Sequence, residues 1–107
     1  MNHNYIVCKK VYFYSQLDED MFFSWIKSIS CIQSFEAARD ELYLDLVEQE
    51  LSYDDIKELA ALLHRYKIKM QQLKPFVNEK NKAAIKPWKK QIFKTNSVEL
   101  KNFKLTN

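Results

Sequence analysis

The 107-residue chain contains no glycine. Walker loops, dinucleotide-binding fingerprints and nucleophile elbows all need glycine, where the backbone takes positive φ or lies close to a ligand. None of them can be built here, which removes the commonest nucleotide-dependent and hydrolase classes. Cysteine is scarce too, with only Cys8 and Cys31 present. The opening MNHNYIVCKK lacks the basic stretch and long apolar run of a signal peptide, so the two read as reduced thiols rather than a disulfide. No apolar run approaches the roughly 18 residues of a membrane span. The expected setting is the cytoplasm, with no membrane partner.

Apolar residues make up 47% of the chain and aromatics 14%, enough for one ordered core at this length. The expectation is a single α+β domain over residues 1–93 and a flexible C-terminal tail over 94–107. A net charge of +3 hides a division. The first sixty residues carry five Lys/Arg against twelve Asp/Glu, and the remainder twelve against two. Such asymmetry marks an interaction surface unless the two halves neutralise each other.

The clearest element is LSYDDIKELAALLHRY, residues 51–66. Ser52 with Asp55 three residues on has the spacing of a capping box, and Leu51 with Ile56 that of a hydrophobic staple. Ile56, Leu59, Ala60, Leu63 and Tyr66 then share one helical face, with Asp54, Asp55, Lys57 and Glu58 on the wet one.

Upstream, residues 5–14 (YIVCKKVYFY) read as a strand, most deeply buried over Val11–Tyr14. SQLDED leads into a helix with Asp18 as N-cap and Leu17 stapled to Phe22. Met21, Phe22, Trp25 and Ile29 form its apolar stripe, through about Ser28. Cys31–Phe35 is a short strand candidate and residues 37–40 a loop, lacking the Asn-Gly of a tight hairpin. Glu41–Glu48 alternates cleanly, with Leu42, Leu44 and Leu46 inward and Glu41, Tyr43, Asp45 and Val47 outward. The β-α-β-β-α-α order predicts an α+β fold, a small three-stranded, mainly antiparallel sheet with helices on one face. Beyond Tyr66, Pro75 opposes one uninterrupted helix. The reading is a break near residues 67–69 and a second helix over Met70–Asn81, or a single kinked helix over 53–79. Trp88 and Phe93 are the expected anchors of the basic end.

Chemistry is sparse. Two thiols and a distant His64 do not make a tetrahedral metal site, and no neighbour activates either cysteine. No metal, cofactor or catalytic residue is assigned. Two surfaces remain. Glu41, Tyr43 and Asp45 project together from the open face of the sheet, with Asp40, Asp18 and Asp20 expected to flank them. That is an acidic patch around an aromatic, suited to a basic protein partner. The alternative is a nucleic-acid site made by Lys82, Lys86, Lys89 and Lys90 with Trp88 interleaved. Against it, the basic end is almost all lysine, which offers no bidentate base reading.

The run YSQLDEDMFFSWIKSISCIQSF followed by LSYDDIKELAALLHRYKIKMQQLKPF resembles small bacterial proteins that share a strand, an acidic helix start with paired aromatics, and a Leu-rich helix ending in Arg-Tyr. These are similar in kind to immunity proteins of contact-dependent or secreted toxin systems. The resemblance spans about residues 12–78 and rests on packing residues, so it assigns no binding residue. It implies a non-catalytic inhibitor whose partner is a cognate toxin domain, and it leaves the oligomeric state open.

Overall fold

The computed structural model describes residues 4–93, and the tail expected at 94–107 lies outside them. Helix α2, Tyr53–Arg65, forms as its sequence predicts. Ser52 is extended, and its hydroxyl accepts from the Asp55 N–H at 3.1 Å. Leu51 and Ile56 are both buried across the cap. At the far end the Ile68 N–H donates to the Leu63 carbonyl at 2.8 Å and the Lys67 N–H to that of His64 at 3.3 Å. This is a Schellman closure, which puts Lys67 at φ 58 where glycine is usual. Lys10 and Arg39 take the left-handed region as well, at φ 51 and 60. A side chain with a Cβ held there costs about 1–2 kcal/mol. In a glycine-free chain exposed basic residues fill all three positions.

The sheet comprises β1 (Tyr5–Lys9), β2 (Ile32–Ala38) and β3 (Glu41–Leu46), in the order β1-β3-β2 with both pairings antiparallel. Leu44 and Leu46 point inward beside Ile6 and Cys8, where they meet Phe22 and Ile26 of α1 (Gln16–Ser28) and Ile56, Leu59, Leu62 and Leu63 of α2. The helices therefore cover one face of an α+β fold, and the layers are held by area removed from water.

Several local expectations are corrected. β1 ends at Lys9, because the left-handed Lys10 resets the alternation. Ile6 and Cys8 are consequently the deep residues, while Val11 and Phe13 are half-buried and Tyr12 and Tyr14 exposed. The N-cap of α1 is Ser15 rather than Asp18, its hydroxyl accepting from the Asp18 N–H at 3.1 Å. Leu17 is then 73% exposed and cannot staple Phe22, and Ile26 rather than Met21 fills the core position. β2 runs on to Ala38, leaving Arg39 and Asp40 as a two-residue turn in which Arg39 supplies the positive φ usually left to glycine. β3 stops at Leu46, and the Val47 N–H bonds the Cys31 carbonyl instead.

The expected helix over 70–81 is a 3₁₀ helix, Met70–Phe76, that ends directly after Pro75. A second 3₁₀ helix, Lys82–Trp88, runs into the short α3, Lys89–Phe93. Ala84, Ile85 and Ile92 are the buried anchors of this end; Trp88 is half-buried, and Phe93 is 37% exposed. One helical residue is about 100° of rotation, so burying Ile92 turns its neighbour Phe93 outward.

Two amides that sequence periodicity does not flag join these parts. Fully buried Asn81 donates to the carbonyls of Leu51 at 2.9 Å and Phe76 at 3.0 Å, and accepts from the Asn78 N–H at 2.8 Å. It fixes the entry of α2 to the junction of the 3₁₀ helices. The Gln72 side chain accepts from the Val7 N–H at 2.8 Å and donates to the Val7 carbonyl at 2.9 Å, closing the outer edge of β1.

Candidate docking face on the open side of the sheet

The sheet register decides which side chains share the uncovered face. Asp45 lies opposite Tyr5 and Ser34, Tyr43 opposite Val7 and Glu36, and Glu41 opposite Lys9 and Ala38. None of these residues belongs to the core or packs against it. The face thus displays three carboxylates, Glu36, Glu41 and Asp45, around the rings of Tyr43 and Tyr5.

Its polar groups are wired to one another. The Tyr43 hydroxyl donates to Glu41 Oε1 at 2.7 Å, and that bond to an anion raises the Tyr43 pKa from 10.0. The Ser34 hydroxyl donates to Asp45 Oδ2 at 2.9 Å. Lys9 Nζ stands 3.8 Å from Glu41 Oε2 on an exposed side chain, a contact of little energetic weight. The rings of Tyr5 and Tyr43 meet edge-on with centroids 5.6 Å apart. These contacts fix rotamers that a partner would otherwise have to order on binding.

Among the described residues there are two ion pairs, Lys9–Glu41 and Lys82–Glu79. Each joins residues from the same half of the chain. No lysine or arginine of residues 61–93 contacts a carboxylate of the acidic half. Two further acidic side chains take neutral donors: Glu58 from the Trp25 indole at 3.0 Å, and Asp55 from the Ser30 hydroxyl at 2.7 Å.

Of the expected acidic residues, Glu41, Tyr43 and Asp45 come together, and Asp40 sits in the turn that ends the face. Asp18 and Asp20 do not flank it. α1 belongs to the helical layer, where its Phe23 ring meets that of Phe35 on the inner side of β2 at 5.6 Å. There the Asp18 carboxylate accepts from the Tyr66 hydroxyl at 3.1 Å and the Tyr14 N–H at 2.9 Å, and Asp20 from the Gln16 side chain at 3.0 Å. Glu36 takes their place. The signal for it was the alternation Ser34, Glu36, Ala38, hidden by ending the strand at Phe35.

At the basic end Lys82, Lys86 and Lys89 line a groove of about 470 Å³ with Ile85 and Phe93, while Lys90 lies beyond it with Gln91. Lys82 is engaged by Glu79 at 2.7 Å. Trp88 turns inward, packing on the core with its ring 6.2 Å from that of His64. The exposed aromatic of the groove is therefore Phe93.

Cys8 and Cys31 are buried free thiols pushed up to about 12, by burial in both cases and with Asp55 adding for Cys31. Neither supplies a thiolate near neutrality. No group of three or more His, Cys, Asp or Glu among the described residues is placed to hold a metal ion. No described helix is long and apolar enough to cross a membrane.

No family model, curated protein or solved structure matches this chain.

Proposed function

We propose that the chain is a non-catalytic, cytoplasmic binding protein of the toxin-immunity kind. It neutralises a basic partner domain, such as a bacterial toxin nuclease, by occluding it with the open face of its sheet. One observation carries this reading: Glu36, Glu41 and Asp45 share an uncovered face around Tyr43, with no basic residue of the described C-terminal half in contact with them. Carboxylates in this arrangement steer a cationic partner into encounter, and a pre-positioned tyrosine supplies area for the bound state.

Coexpression with the product of the adjacent upstream gene, expected on this reading to be a toxin domain, tests the proposal. A stable one-to-one complex is expected. In it Glu41→Lys with Asp45→Lys slows association about tenfold or more at low salt and leaves dissociation less affected. If no complex forms, or if charge reversal leaves the association rate alone, the reading fails.

A second reading, binding of nucleic acid, is favoured by the convergence of Lys82, Lys86 and Lys89 beside exposed Phe93. The Lys82–Glu79 pair and the inward Trp88 weigh against it. Its signature is oligonucleotide affinity at about 50 mM salt that falls steeply as salt rises; lack of binding there dismisses it.

A further inference from the structure

The end of β1 and the end of α2 meet at a notch outside both surfaces above. Lys10, Arg65 and Lys67 line it together with Tyr12, Tyr14, Tyr66 and Asp18, in a volume of about 330 Å³. The three cations are exposed, and none makes an ion pair among the described residues. Lys10 and Lys67 are two of the three left-handed residues in the described chain, at φ 51 and 58. Lys67 is held there by the closure of α2, and the Lys10 N–H is held by the Asp40 carbonyl at 3.1 Å. Here the two strained turns carry like charges to the same opening.

The one acid lining the notch makes no ion pair with these cations among the described residues. Asp18 accepts from the Tyr66 hydroxyl with one oxygen and from the Tyr14 N–H with the other. Tyr66 itself is wedged against Phe22, with ring centroids 4.7 Å apart, and makes a fixed wall. Tyr12 and Tyr14 form the rim, edge to face at 4.7 Å and 69% and 80% exposed.

We infer that this notch binds a nucleoside monophosphate, its phosphate held by Lys10, Arg65 and Lys67 and its base against the rings of Tyr12 and Tyr14. Three cations facing a single carboxylate leave the notch net positive, and one of them is a guanidinium fork, which suits a dianionic phosphate. Exposed tyrosine faces stack on bases without sequence preference. The volume lies at the small end of ligand sites, enough for one nucleotide rather than a strand.

The test titrates the full chain with adenosine 5′-monophosphate, inorganic phosphate and adenosine at about 50 mM salt, followed by amide chemical shifts and by heat. The nucleotide is expected to saturate with a Kd below about 1 mM, its shifts centred on Lys10–Tyr14 and Arg65–Ile68. Inorganic phosphate should bind at least about tenfold more weakly, and adenosine should not saturate. Arg65→Gln and Lys67→Asn should each weaken the nucleotide about tenfold. Asparagine is chosen at position 67 because it tolerates the left-handed backbone, so the fold is kept. Tyr12→Ala with Tyr14→Ala should bring nucleotide affinity down to that of phosphate. No saturable shift with the nucleotide, shifts centred on Lys82–Lys89, or equal affinity for nucleotide and phosphate in the unaltered chain would each overturn the assignment.

Discussion

Replacing Gln72 by leucine keeps its bulk and removes the amide that closes the edge of β1. The Leu46 N–H donates to the Asn4 carbonyl and the Lys10 N–H to that of Asp40. The even-numbered residues of β1 therefore bond β3, and Val7 turns its N–H and C=O to the outside. Gln72 satisfies both, at 2.8 and 2.9 Å, as a neighbouring strand would. Each such bond contributes about 1 kcal/mol net, and half-buried Val7 regains some hydration, so Gln72→Leu should cost about 2 kcal/mol. For a domain of this size that lowers Tm by about 9 °C. Urea unfolding followed by tryptophan fluorescence should show a lower midpoint at unchanged slope. Hydrogen exchange should show the Val7 amide losing its protection while that of Ile6, bonded to β3, keeps it. A cost below about 0.5 kcal/mol, or a Val7 amide as protected as before, would refute this account of the edge.

Other perturbations probe separate joints. Asn81→Leu removes three hydrogen bonds at a site with no solvent access and strands two carbonyls. It should cost about 3 kcal/mol or more in denaturant titration, and a near-neutral result would contradict the joint. Lys67→Gly relieves the left-handed residue of the Schellman closure and should stabilise by about 0.5–1 kcal/mol, net of its greater unfolded-state entropy; a lower Tm would mean that α2 ends otherwise. Cys8 and Cys31 are raised from 9.0 to about 12 in the fold, so the folded chain keeps protons that the unfolded chain gives up. Their contribution to stability is fully present below pH 9 and is lost as pH rises from 9 toward 12. Unfolding free energies measured across that window should fall with pH for the native chain and less steeply for Cys8→Ala; equal slopes would rule out the buried thiols as the cause.

The fold was legible wherever side-chain pattern and backbone signal coincided. Ser52 before the Ile56–Leu63 face marks α2, and Leu42, Leu44 and Leu46 in strict alternation mark β3 up to its last two expected residues. Expectations failed where a single dihedral overrode the pattern. Lys10 and Arg39 are ordinary lysine and arginine in sequence, yet their positive φ ends β1 early and tightens the β2–β3 turn. Pro75 opposes an uninterrupted helix as expected, but the turns that contain it are 3₁₀ rather than α. In the candidate site, strand alternation delivered Glu41, Tyr43 and Asp45. The membership of Asp18 and Asp20 depended on where α1 packs, which is a tertiary fact. Asn81 and Gln72 act through backbone carbonyls and amides distant in sequence, and hydrophobic periodicity is blind to such bonds.

The docking claim is tested most directly by carboxyl and lysine footprinting of the chain, free and in complex with the coexpressed toxin domain. The open acidic face predicts that Glu36, Glu41 and Asp45 lose reactivity toward a carboxyl-labelling reagent on binding, while Lys82, Lys86 and Lys89 are acetylated as fast as before. Unchanged labelling of those three carboxylates, with the lysines protected instead, would contradict it.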